Sequence, residues 1–195
     1  AQLSAAITPK TKWLLLNSPG NPSGALYSSQ ELSALADVLR ANPHVWILAD
    51  EIYQHISYDT FTSFREIAPD LLARMLIVNG VSKAYAMTGW RLGWGIGPRE
   101  LIDTMVGVQG QSTSGACSIS QAAAIAALTG PQDVLSERLA SFKERRDYVV
   151  DALNKTRRLD CLTPGGAFYV FPSCVKTFGL KTPDGTELTN DAEFC

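Results

Sequence analysis

Four short apolar runs, Trp13–Leu16, Val45–Ala49, Met75–Val78 and Leu92–Ile96, punctuate the first half of the chain. Runs of this length bounded by Gly, Pro and Asn read as strands, and strands alternating with amphipathic helices read as an α/β sheet. Between the first two runs, Ser28-x-x-Glu31 has the form of a capping box. Leu32, Leu35, Ala36 and Leu39 then follow at helical spacing, and Asn42-Pro43 ends the pattern. Only about a dozen residues separate the third run from the fourth, which is marginal for a crossover helix, so that pair is expected to be antiparallel.

The period changes beyond residue 130. From Gln132 to Thr156 no Pro or Gly intervenes, and Leu135, Leu139, Phe142, Val149 and Leu153 form one stripe, interrupted by Arg146. Such a helix would run ~35–40 Å, long enough to cross between two domains. Cys161–Thr163, Pro164-Gly165-Gly166 and Ala167–Phe171 then read as strand, turn, strand. The expected division is therefore 1–130 and 131–195. The small-apolar tract Ala122–Leu128 reads as a buried helix.

Bulk properties exclude several function classes. Among 195 residues, 46% are apolar and the net charge is −2, which speaks for a packed core and against a dedicated nucleic-acid surface. No apolar stretch approaches the ~18 residues of a membrane span. Cys117, Cys161, Cys174 and Cys195 fit no zinc spacing and read as thiols of a reducing, cytoplasmic setting. His44 and His55 have no ligand cluster in the sequence around them, so no metal is expected.

Three polar residues lie just past three of the apolar runs: Asn21, Asp50 and Lys83. Open α/β sheets bind ligands beyond the carboxyl ends of their strands, so parallel neighbours would bring these side chains to one edge. Each signal alone is weak, because such residues are commonly turn formers, caps or solvated charges. Their joint placement is informative.

The stretches Asn21-Pro22-Ser23-Gly24, Asp50-Glu51-Ile52-Tyr53 and Gly80-Val81-Ser82-Lys83-Ala84-Tyr85-Ala86-Met87-Thr88-Gly89-Trp90-Arg91-Leu92-Gly93 resemble the class I/II aminotransferases of pyridoxal-phosphate (PLP) fold type I. The last stretch is similar to that of a bacterial aspartate aminotransferase subgroup. The resemblance extends over nearly the whole chain, including the turn Gly165-Gly166-Ala167-Phe168-Tyr169. It implies a three-layer αβα large domain with a mostly parallel sheet and part of an α+β small domain, in a piece of a longer chain that dimerises with itself.

The resemblance also implies roles. Lys83 is the lysine that carries pyridoxal 5'-phosphate as a Schiff base and then shuttles a proton at the substrate Cα. Asp50 faces the ring nitrogen, Tyr53 and Asn21 bond the ring's phenolic oxygen, and Ile52 packs under the ring. Arg91, eight residues past Lys83, clamps the phosphate as a bidentate, permanently charged group, and Ser82 adds a hydroxyl. The Asn21–Pro22 bond is expected to be cis. Gly80 departs from the serine often found three residues before the lysine, so one phosphate contact is expected to be absent or supplied by backbone.

The family's Gly-rich phosphate turn and ring-stacking aromatic normally lie upstream of these motifs, and its substrate-carboxylate arginine downstream, so the isolated chain is not expected to be a competent catalyst. Arg145, Arg146, Arg157 and Arg158 read as helix-surface charges rather than substitutes for that arginine. The implied activity is amino transfer between an amino acid, aspartate or glutamate first, and a 2-oxo acid. Prephenate or aromatic aminotransferases, a fold type I β-lyase or decarboxylase, and a PLP-sensing transcription regulator domain are the alternatives.

Overall fold

A computed structural model describes residues 2–195. In chain order the elements are α1 (Gln2–Ala6), β1 (Trp13–Asn17), α2 (Ser29–Arg40), β2 (Trp46–Asp50), α3 (Phe64–Ile67), β3 (Met75–Gly80), β4 (Gly93–Ile96), α4 (Arg99–Ser112), α5 (Ser118–Thr129), α6 (Asp133–Lys155) and α7 (Asp191–Phe194), with short 3-10 turns between some of them. The strands form one four-stranded sheet in the order β1-β2-β3-β4. The first two pairings are parallel and the third is antiparallel, as the short third connection demands.

One sheet face carries the core. Leu16 of β1, Ile47 and Ala49 of β2, and Met75 and Ile77 of β3 alternate onto it and meet Leu32, Ala36 and Leu39 of α2 and Phe64 of α3. The period of two in the strands and the i, i+4, i+7 spacing in α2 explain why these residues meet. The capping box forms: Ser28 Oγ accepts from Glu31 N–H, and Glu31 Oε2 accepts from Ser28 N–H at 2.8 Å. Beyond the other end of α2, Arg74 donates to the carbonyl of Leu39 in the last helical turn and to that of Val45 just before β2, tying the helix end to the strand. On the opposite sheet face Leu15 is 67% exposed, and β1 pairs on one side only, with β2.

Buried at 6% exposure, Glu51 ties the end of β2 to the start of α3. Its Oε1 accepts from Ser63 Oγ at 2.7 Å and from Phe64 N–H at 3.1 Å. Burial raises its carboxyl pKa above the usual carboxylate range, against the lowering effect of those two donors. A carboxyl whose pKa is higher folded than unfolded adds stability below its unfolded pKa, and loses that addition as pH rises through the folded value. Glu51→Gln, which keeps an acceptor and has no charge, is therefore expected to gain stability relative to the native protein as pH rises from 4 to 7.5. Glu51→Ala, which strands both donors, should cost about 1–3 kcal/mol. Denaturant unfolding at the two pH values measures both, and a gap between native and Gln variants that does not change with pH would contradict the first expectation.

Two expectations are corrected here. The tract Ala122–Leu128 is helical within α5, but it is not buried: Ala124 is covered while Ile125 is 62% exposed. No element among the described residues covers that side. The strand–turn–strand over 161–171 is also not formed. Its two arms meet only at an antiparallel bridge between Asp160 and Ser173, and nearer the turn they separate because the turn's backbone bonds to distant loops instead. Among the described residues no helix is long and apolar enough to cross a membrane.

Candidate active site

The register of the sheet lines up the carboxyl ends of the parallel strands. Asn17 pairs with Asp50, and Asp50 with Val78. Asn17 also organises the turn after β1. Its Oδ1 accepts from the Asn21 N–H at 2.7 Å and its Nδ2 donates to the Asp50 carbonyl at 3.3 Å, so one side chain holds the Asn21 turn against the end of β2. The turn is closed by Gly24 N–H donating to the Gly20 carbonyl at 2.7 Å, and the Asn21–Pro22 bond is cis, as is Ser18–Pro19. The Asp50 carboxylate accepts from Ile52 N–H at 3.2 Å.

The β3–β4 pair brings the lysine loop to the same edge. Gly80 faces Gly93 across the pair, with Ser82 two residues beyond one and Arg91 two before the other. A Cβ on Gly80 would come within 2.9 Å of the Leu92 carbonyl oxygen, and one on Gly93 within 2.8 Å of that of Asn79. This close approach gives a physical reason for glycine, and not serine, at position 80. Thr88 laces the loop, its Oγ1 donating to the Ser82 carbonyl at 3.0 Å and its own carbonyl accepting from Arg91 Nη1 at 2.8 Å. Ala86 and Arg91 have φ of 54° and 52°, left-handed values that cost a non-glycine residue energy and that cluster at functional loops. Arg91 is exposed, and Ser82 and Lys83 are half-buried.

Tyr53, only 3% exposed, forms the wall beside the lysine: Lys83 Nζ lies 6.0 Å from its ring centroid. The turn beyond α6 holds it there. Gly166 N–H donates to the Gly24 carbonyl at 3.0 Å, Ala167 N–H to Ile56 at 2.7 Å, and Tyr58 N–H to Gly165 at 2.9 Å, while Tyr58 Oη donates to the Ala167 carbonyl at 2.6 Å. Ile52 packs against the resulting cluster of Tyr53, Ile56 and Ala167. A Cβ on Gly166 would sit 2.5 Å from Pro19 Cγ, so glycine is required for the turn to close on the loop after β1.

Arg146 is corrected by this arrangement. Its side chain is 12% exposed, lies 4.3 Å over the Tyr58 ring and donates to the Pro164 carbonyl at 2.9 Å, so it is a half-buried tether of the turn, paired also with Asp147, rather than a free surface charge. The apparent flaw in the apolar stripe of α6 is thus a contact. Two further residues make contacts at the site that the sequence does not signal. Asn17 resembles a strand-terminating turn former, and Tyr169, whose Oη lies 2.6 Å from Tyr53 Oη, is 116 residues away in the chain.

The six expected residues thus fall into three tied groups at one edge: Asn21 with Asp50 through Asn17, Ser82 with Arg91 through Thr88, and Lys83 facing Tyr53. Among the described residues no hydrogen bond joins one group to another, and no cluster of three or more His, Cys, Asp or Glu is arranged to hold a metal. An amine, a carboxylate, a phenol and a guanidinium near one sheet edge are groups that suit an aldehyde-bearing aromatic cation with a phosphate arm. In class, this is an α/β protein with a candidate polar site at the carboxyl edge of a mostly parallel sheet.

Comparison with known proteins narrows the class. The chain belongs to the aminotransferase class I and II family, whose pattern matches residues 1–192. An aspartate aminotransferase of Rhizobium meliloti (strain 1021) is 55% identical over 196 aligned residues, covering 100% of this chain and 48% of the relative. A probable aspartate/prephenate aminotransferase of Rhizobium leguminosarum bv. phaseoli is 51% identical over 100% of this chain and 49% of its own length. The crystal structure of the Rhizobium meliloti aspartate aminotransferase superposes with a TM-score of 0.96, again over 100% of this chain and 49% of that one. The chain spans about half the length of the relatives it matches.

Proposed function

We propose that this chain carries the cofactor-holding half of a PLP-dependent aminotransferase acting on aspartate or glutamate and a 2-oxo acid. The observation that carries the reading is the lysine loop: Lys83 beside Tyr53, with Ser82 and Arg91 laced together at the edge where Asp50 ends its strand. When bound, the cofactor supplies an aldehyde and a ring that accepts electron density from the substrate Cα.

The chain's residues do the rest. Lys83 Nζ is the amine that would hold the aldehyde carbon, and the same amine would move the proton at the substrate Cα. Asp50 would hold a proton at the ring nitrogen through its negative charge. Tyr53 and Asn21 would donate to the ring oxygen, and Arg91 and Ser82 would hold the phosphate. Ile52 is placed to pack under the ring.

The enzyme would act as a homodimer of full-length chains in the cytoplasm, where four free cysteines remain reduced. The proposed division is a cofactor domain to residue 130 and a second domain beginning at α6. The 51% identity to a probable aspartate/prephenate aminotransferase favours prephenate as a second 2-oxo acceptor.

The test uses the full-length protein loaded with pyridoxal phosphate. Aspartate alone should release about one oxaloacetate per bound cofactor, and 2-oxoglutarate should then permit continuous turnover. Release of pyruvate and ammonia or of carbon dioxide in place of oxaloacetate would replace this reading with a lyase or a decarboxylase. Cofactor binding with no product at all would favour a sensor.

A further inference from the structure

We infer that Tyr169 is a positioning residue for the cofactor site, acting through Tyr53 by donating its phenolic proton to the Tyr53 oxygen. The inference rests on the cofactor reading above and adds to it a residue from the far side of α6. Its starting point is the 2.6 Å separation of the two phenol oxygens, at the short end of the O–H···O range.

A phenol has one proton to give and lone pairs to receive with. If Tyr53 gives its proton to a cofactor oxygen, its own oxygen can only accept from Tyr169. The direction of the shared bond is then settled by proton count. An accepted hydrogen bond polarises Tyr53 and strengthens the bond it donates onward, an effect that grows where water is excluded. Water is excluded here: Tyr53 is 3% exposed, with the rings of Phe168 and Tyr169 set edge-on at 5.5 and 5.7 Å.

Tyr169 is itself held. Ala167, two residues before it, takes a left-handed φ of 57° and is bonded on both sides, its N–H to Ile56 and its carbonyl to Tyr58 Oη. The Phe168 ring stacks on Phe142 of α6 at 5.3 Å. The Tyr169 hydroxyl is thus delivered to Tyr53 by backbone geometry rather than by a free side chain. Tyr58 supports the turn and Tyr169 supports the site, so the two tyrosines are separable by mutation.

A double-mutant cycle of Tyr53→Phe and Tyr169→Phe in the full-length protein tests this. Both substitutions keep the ring and its edge-on packing. Two quantities are read: the dissociation constant for pyridoxal phosphate from the cofactor-free protein, by tryptophan fluorescence, and the pH midpoint of the bound chromophore's absorbance. In the native background Tyr169→Phe should weaken binding by between about twofold and tenfold and move the midpoint upward, because a less stabilised ring oxygen releases its proton at higher pH. In the Tyr53→Phe background it should change neither. Equal effects in both backgrounds, or none in the native one, would overturn the role of Tyr169. A Tyr53→Phe variant that itself matches the native protein in both readings overturns the contact of Tyr53 with the cofactor, and Tyr169's role with it. Protein with no bound chromophore at all marks instead the failure of the cofactor reading.

Discussion

Replacing Lys83 with alanine is expected to remove every covalent hold on pyridoxal phosphate while leaving a reversible one. Borohydride reduction followed by peptide mass analysis should find the cofactor on Lys83 in the native full-length protein and nowhere in the variant. Arg91, Ser82, Asp50 and Tyr53 remain, so the variant should still bind the cofactor, with a dissociation constant measurable by dialysis. Turnover should fall further than binding. On the proposed reading Lys83 Nζ also carries a proton at the substrate Cα, and loss of a positioned acid–base group alone costs about 10²–10⁴-fold. Within this chain Lys83 is the only lysine between residues 13 and 142, so its own loop offers no substitute. A reduced cofactor attached to another lysine of the native protein would show the assignment to be wrong.

A second large effect is expected at Asp50, and its size comes from charge. An opposite charge beside a titrating group moves its pKa by about 1–3 units, so losing the carboxylate lowers the ratio of protonated to neutral ring nitrogen by about 10–10³-fold, and the protonated fraction by up to as much. Asp50→Ala should lose rate in that range. Asp50→Glu keeps the charge at the end of the same strand and should stay within about tenfold of native. The comparison is kcat/KM for aspartate in the three proteins. Near-native values for both variants would remove Asp50 from the site. The strand end is held independently of the carboxylate, by Asn17 Nδ2 donating to the Asp50 carbonyl, so Asp50→Ala tests charge more than folding.

Much of this architecture is legible in local patterns. The strands, the capping box at Ser28 and the antiparallel β3–β4 pair rest on periodicity and connection length, which act over a few residues. The candidate site is legible for a related reason: each of its motifs lies just past a strand, and the register of a parallel sheet does the gathering. The features that local patterns miss depend on distant partners. The arms around Pro164-Gly165-Gly166 look like a hairpin, but the turn's backbone spends its donors on Gly24 and Ile56. Arg146 looks like surface charge until Tyr58 and Pro164 are placed beneath it. Tyr169 lies in a turn that the family resemblance marks, but its pairing with Tyr53 leaves no local sign, because the partner is 116 residues away. The tract in α5 shows the converse, apolar composition without an element to cover it.

One consequence of α6 is mechanical. Arg138 on this helix donates to the Ala84 carbonyl at 2.9 Å, beside the lysine, and Arg146 donates to Pro164 on the turn that delivers Tyr169. Eight residues of helix separate these two attachments, about 12 Å along its axis. A rod pinned at two such points behaves as a lever. Tilting it by about 5° around the Arg138 pivot would carry the Arg146 attachment about 1 Å, more than the slack in a hydrogen bond. The lysine loop and the tyrosine turn are therefore attached to one rod, whose far end is tied in turn to the segment before the tyrosine turn, Asn154 exchanging two hydrogen bonds with Cys161.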